Sequence, residues 1–107
     1  MDKISNLKTI ILNTLDSNKA LDIVSIDLTC KSSIADYMIV ASGTSSRHIQ
    51  ALSEQVLEKL KLNGIINCKI EGSNSNDWKL IDGISGNQFR KNVIFLFLID
   101  RVIKQSL

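Results

Sequence analysis

The 107-residue chain has no proline, one tryptophan, one tyrosine, one histidine and two cysteines. It also lacks internal repeats and low-complexity tracts, so nothing divides it and it reads as one domain spanning residues 1–107. A chain of this size buries roughly two-thirds of the surface its unfolded form exposes, enough for a core of its own. The net charge is only +2, too little to argue for nucleic acid or a membrane surface on electrostatics. The basic residues are scattered, which gives no footprint for direct sequence-specific nucleic-acid binding. Cys30 and Cys68 lie far apart with no C-x-x-C partner, a pattern of free thiols in a reducing cytosol rather than a metal site. The start, MDKISNLKTIILNTL, has no basic leader, long apolar run or small-residue cleavage site, so a secretory signal is not expected. The most apolar stretch, NVIFLFLI, is far short of the roughly 20 residues a membrane span needs. A soluble, cytoplasmic protein with no membrane segment is the expectation.

What is present is ordered apolar patterning. Ile4, Leu7, Ile11, Leu12 and Leu15 recur at helical spacing and predict a helix over 3–18, closed by Asp16-Ser17-Asn18. DIVSIDL (22–28) has the β-branched content of a strand. CKSSIA is a short connector. DYMIVAS (36–42) is the continuous apolar run of a strand covered on both sides. A helix over about 46–62 follows, with Ile49, Leu52, Val56, Leu57 and Leu60 on one face and Asn63-Gly64 as its stop. IINCKIEG (65–72), DWKLID (77–82) and the run 93–99 read as strands, the second with Trp78, Leu80 and Asp82 on one side. The strand–helix–strand unit over 36–71 should join parallel strands, and the short turns after it favour antiparallel pairing. The expected fold class is α/β, a mixed sheet of about five strands with flanking helices.

Chemistry-bearing residues gather in IADYMIVASGTSSRHIQAL (34–52). A Gly-Ser/Thr loop between a strand and a helix turns N–H groups and a positive helix end outward, which suits an anion. Yet Gly43-Thr44-Ser45-Ser46 fits neither G-x-x-x-x-G-K-[ST] nor G-x-G-x-x-G, and its hydroxyls serve equally as helix caps. Nucleotidyltransferases use such a loop, but with two or three carboxylates holding metal ions, typically an Asp-x-Asp on the next strand. That strand here reads Asn67, Cys68, Lys69, Ile70, Glu71, and no Asp-x-Asp occurs in the chain. His48 could act as a base oriented by Asp36, with Ser42, Ser45 or Ser46 as nucleophile. A histidine in the first turn of a helix can equally satisfy a hydrogen bond. Trp78 is either core or an interface anchor, since tryptophan buries much area at low entropic cost, and Tyr37 carries the same ambiguity. A phosphate- or nucleotide-handling enzyme using the Gly43–Ser46 loop stands as the alternative to a binding protein.

Three ordered motifs carry a resemblance. They are the strand DIVSIDL, the run ADYMIVASGTSSRHIQA with the helix after it, and EGSNSNDWKLID. Over residues 20–82 the chain resembles the ribosomal silencing factor family (RsfS, also called Iojap). The resemblance implies a nucleotidyltransferase-like α/β fold without the catalytic acids, no enzymatic activity, no cofactor and no metal. It implies binding to ribosomal protein fourteen of the large subunit, on the surface facing the small subunit. Occupying that surface blocks subunit joining and represses translation when nutrients are short. Members are typically homodimers when free. By position, the motif residues are Asp36, Tyr37, Ser42, Gly43, Thr44, Ser45, Arg47 and His48, then Trp78, Leu80 and Asp82. Trp78 and Leu80 are expected as the apolar anchor, and Asp77 and Asp82 as partners for basic groups. Asp36 and Tyr37 are counted with that partner surface. Gly43, Thr44, Ser45, Arg47 and His48 are expected to shape the loop or the dimer contact.

After Asp82-Gly83 the chain departs from the family pattern. ISGNQFRKN is not a stretch the family contains, Phe95 stands where its strand has a histidine, and the aromatic tail of relatives is missing. Residues 83–107 are therefore divergent, and contacts that relatives make through that tail are not expected here.

Overall fold

The computed structural model describes residues 3–28, 35–66, 68–72, 77–85 and 93–101. In chain order these form α1 (Lys3–Ser17), β1 (Leu21–Asp27), β2 (Tyr37–Gly43), α2 (Ser46–Leu62), β3 (Lys69–Glu71), β4 (Trp78–Ser85) and β5 (Val93–Asp100). The helices follow their apolar periodicity. Leu7, Ile11 and Leu15 of α1 are buried, as are Ile49, Leu52, Val56 and Leu60 of α2. The end of α1 turns through Lys19 in a left-handed conformation (φ 64), and Ala20 N–H donates to the Leu15 carbonyl at 2.9 Å. Gly64 (φ 83) does the same for α2, where Ile65 N–H reaches the Leu60 carbonyl at 2.9 Å.

The five strands form one mixed sheet in the order β1-β2-β5-β4-β3. β1 and β2 are antiparallel, β2 and β5 parallel, and β4 is antiparallel to both β5 and β3. The strand–helix–strand unit therefore does join strands of the same direction. However, β3 is not beside β2, because β5 and β4 are inserted between them. The strand read over 65–72 narrows to 69–71. Ile65 instead closes the end of α2 and joins the core. β4 runs on to Ser85, beyond the expected end at 82, with its register shifted between Ile81 and Ile84. The connector CKSSIA lies largely outside the described residues, as do the turn SNSN and most of GISGNQFRKN.

Side chains alternate across a strand, and the alternation separates two faces. Ile39 and Ala41 of β2, Ile81 and Ile84 of β4, and Ile94, Leu96 and Leu98 of β5 pack with both helices in a single core cluster. Burying each such aliphatic side chain is worth roughly 1.5–3 kcal/mol, and this is the dominant cohesive term. Both helices thus lie on one face. Among the described residues, the other face carries none.

Candidate functional site

The corner between β2 and α2 holds the residues that looked most chemical, and Gly43, Thr44, Ser45 and His48 are engaged by the fold itself. The buried Ser42 hydroxyl has no hydrogen-bond partner among the described residues. Gly43 is buried, and a Cβ there would stand 2.9 Å from Ile49 Cγ1 and 3.3 Å from His48 Nδ1. Glycine is required for that close packing. Ser45 is the N-cap of α2, in extended backbone, its hydroxyl accepting from His48 N–H at 3.1 Å. Thr44 N–H donates to His48 Nδ1 at 2.9 Å, and His48 Nε2 lies 2.8 Å from the Asn18 carbonyl. A carbonyl only accepts, so Nε2 carries the hydrogen and the neutral ring bridges the end of α1 to the start of α2. The N–H groups of Thr44 and His48 are thus committed inside the fold rather than offered to a phosphate. Asp36 precedes β2 at its other end, roughly 20 Å away by strand rise, and does not orient His48. Ser42 is fully buried on the face of β2 away from the helices. Arg47 and Thr44 are exposed. Among the described residues no group of three His, Cys, Asp or Glu side chains is placed to hold a metal ion.

The helix-free face offers different material. Register places Val24, Val40, Phe97 and Leu80 in one row across β1, β2, β5 and β4. Ile26, Met38 and Phe95 form the row on one side of it. On the other side run Leu21, Ser42, Ile99 and Trp78. Val24 is 49%, Ile26 40% and Trp78 37% exposed, so apolar side chains reach solvent along a continuous strip. The Trp78 indole stacks on Phe97 with ring centroids 6.0 Å apart and planes 28° from parallel.

The expected partner residues do not all meet here. Trp78 and Leu80 share the strip. Asp77 is exposed at the start of β4, its carbonyl accepting from Asp100 N–H at 2.8 Å. Asp82 is half-buried and stands opposite Lys69 in the β3–β4 ladder. Tyr37 turns to the helix side, where it packs against the core and Lys8 Nζ sits 4.6 Å above its ring. Asp36 lies beside Tyr37, and its carbonyl accepts from Leu28 N–H at 2.7 Å. Reading the sequence missed Phe97 and Val40 as members of the strip, although strand alternation in VIFLFLI and DYMIVAS held the signal. Cys68 is a half-buried free thiol whose pKa burial raises. Cys30 lies outside the described residues. Among the described residues no helix is long and apolar enough to cross a membrane.

The fold and the sequence both have counterparts among known proteins. A crystal structure of a Chromobacterium violaceum protein, 26% identical, superposes with a TM-score of 0.81 over 97% of this chain and 80% of its own. The ribosomal silencing factor RsfS of Zymomonas mobilis is 38% identical over 98 residues, 90% of this chain and 74% of the relative. That of Haemophilus influenzae is 40% identical over 72 residues, 67% of this chain and 71% of the relative. A model of the family described as "Ribosomal silencing factor during starvation" matches residues 1–90. With residues 35–52 of the motif run folded into β2, a capped corner and α2, this chain belongs to the RsfS family of ribosomal silencing factors.

Proposed function

We propose that this chain is a non-enzymatic repressor of translation that docks on the large ribosomal subunit and blocks its joining to the small one. The observation that carries the reading is the apolar strip on the helix-free face, centred on Trp78, Leu80 and Phe97, in a member of this family. Ribosomal protein fourteen is the proposed partner. Trp78 and Leu80 supply the anchor, because large apolar side chains at the centre of an interface contribute most of its energy. Asp77 and Asp82 flank the anchor and steer it toward basic groups. Asp36 is kept with this partner surface, whereas Tyr37 acts through the fold, held under Lys8 on the opposite face. A strip of this kind left uncovered also favours self-association, and the free protein is proposed to rest as a homodimer in the cytoplasm. Trp78→Ala should weaken co-sedimentation with purified large subunits by about 2 kcal/mol or more. Unchanged co-sedimentation of a folded variant would remove Trp78 from the interface. Calorimetry with nucleoside triphosphates and a divalent cation tests the enzyme alternative, and binding dependent on the Gly43–Ser46 loop would favour it.

A further inference from the structure

We propose that Gly72 and Lys79 form a seat that fixes the pose of the Trp78 indole, making them positioning residues for docking. The inference rests on the docking reading above and adds to it how the anchor is held. Gly72 follows β3 with φ 77, a conformation L side chains rarely adopt. A Cβ there would stand 2.7 Å from the Trp78 carbonyl oxygen and 2.9 Å from both Cε3 and Cζ3 of the indole. The first of these contacts is to backbone, so no rotation of the indole relieves it. The second and third show the ring lying directly against the glycine. Lys79, the next residue on β4, points to the other face and is only 4% exposed, a burial rare for lysine. Its Nζ donates to the Gly72 carbonyl at 3.3 Å. The residue following the anchor therefore ties down the backbone against which the anchor rests, while Phe97 supports the ring by stacking. An indole held this way loses little freedom on docking, and that saving appears as affinity.

A natural control exists in Gly64, which has φ 83 but no atom within 4 Å of the place a Cβ would occupy. Gly64→Ala therefore imposes the backbone strain alone. Gly72→Ala imposes the strain and displaces the indole. Trp78 is the sole tryptophan, so intrinsic fluorescence and its quenching by acrylamide report on this ring without interference. Gly72→Ala should shift the emission, increase quenching and weaken large-subunit binding by about tenfold, whereas Gly64→Ala should leave all three as in the parent. Lys79→Met, which keeps the buried chain and removes the ammonium, should move the same readouts in the same direction and serves if Gly72→Ala does not fold. Parent-like fluorescence in a folded Gly72→Ala or Lys79→Met protein would overturn the seat. Altered fluorescence with parent-like binding, where Trp78→Ala does lose binding, would overturn the link from pose to docking. Parent-like binding by Trp78→Ala sinks the docking reading instead, and the fluorescence then decides the seat alone.

Discussion

Two regions of this molecule make an instructive pair. The corner at Gly43–His48 contains a glycine, three hydroxyls and the only histidine, whereas the strip around Trp78 is built from valine, leucine, phenylalanine and tryptophan. The corner holds the residue types of catalysis, yet Gly43, Thr44, Ser45 and His48 are taken up by packing, capping and a bridge from the end of α1. The strip is apolar apart from the buried Ser42 hydroxyl, and its interactions are incomplete: side chains are stacked in rows with one side facing water. Capacity for function lies in what the fold leaves unsatisfied, which residue type alone does not report.

Neighbouring residues on β5 put that contrast to the hardest test. Leu96 faces the helices and is fully buried, so Leu96→Ala should cost about 3 kcal/mol in urea denaturation. Phe97→Ala removes the platform under Trp78 from the open side. It should cost less stability than Leu96→Ala while weakening large-subunit binding more, once corrected for the folded fraction. The reverse pattern would mean that the faces are misassigned.

Within the corner, His48→Ala breaks both hydrogen bonds of the bridge. A loss of about 1–2 kcal/mol in stability is expected, with binding of the folded protein unchanged; a binding defect at full stability would return His48 to the functional surface. Ser45→Ala should cost about 1 kcal/mol by removing the N-cap of α2, visible as a lower thermal midpoint. The smallest effect concerns Cys68. Burial raises its thiol pKa in the folded state, so the unfolded chain releases that proton at lower pH. Stability from this group is complete below the ordinary thiol value and is lost as pH rises through the raised one. Cys68→Ala should flatten that part of a pH–denaturation series, and an identical slope in parent and variant would dismiss the contribution.

How much of this was legible in the sequence follows the range of the interactions. The helix over 46–62 was found with its true ends, because capping by Ser45 and the Asn63-Gly64 stop are local events. β5 was recognised as a strand, but not as the one between β2 and β4, since alternation reveals a face and not a neighbour. The resemblance extended only to residue 82, and the family model ends at residue 90, just before the central strand of the sheet. The bridge from His48 to Asn18 spans 30 positions, and the contact of Gly72 with the indole depends on how β3 and β4 come together. Neither has a local signature. Tyr37 was grouped with Trp78 by motif, and one step of strand parity put it on the other face.

The central place of β5 has a consequence in time. β1 with β2, and β3 with β4, are antiparallel pairs that can form as soon as their own residues are available. They share no ladder until β5 enters between them. During vectorial synthesis the two half-sheets must wait for β5, each with an unpaired edge beside apolar side chains. Folding that depends on such late, long-range pairing is slow and prone to aggregation. A growing chain of this protein is therefore most vulnerable just before residues 93–100 emerge, and chaperone demand should fall sharply once they do.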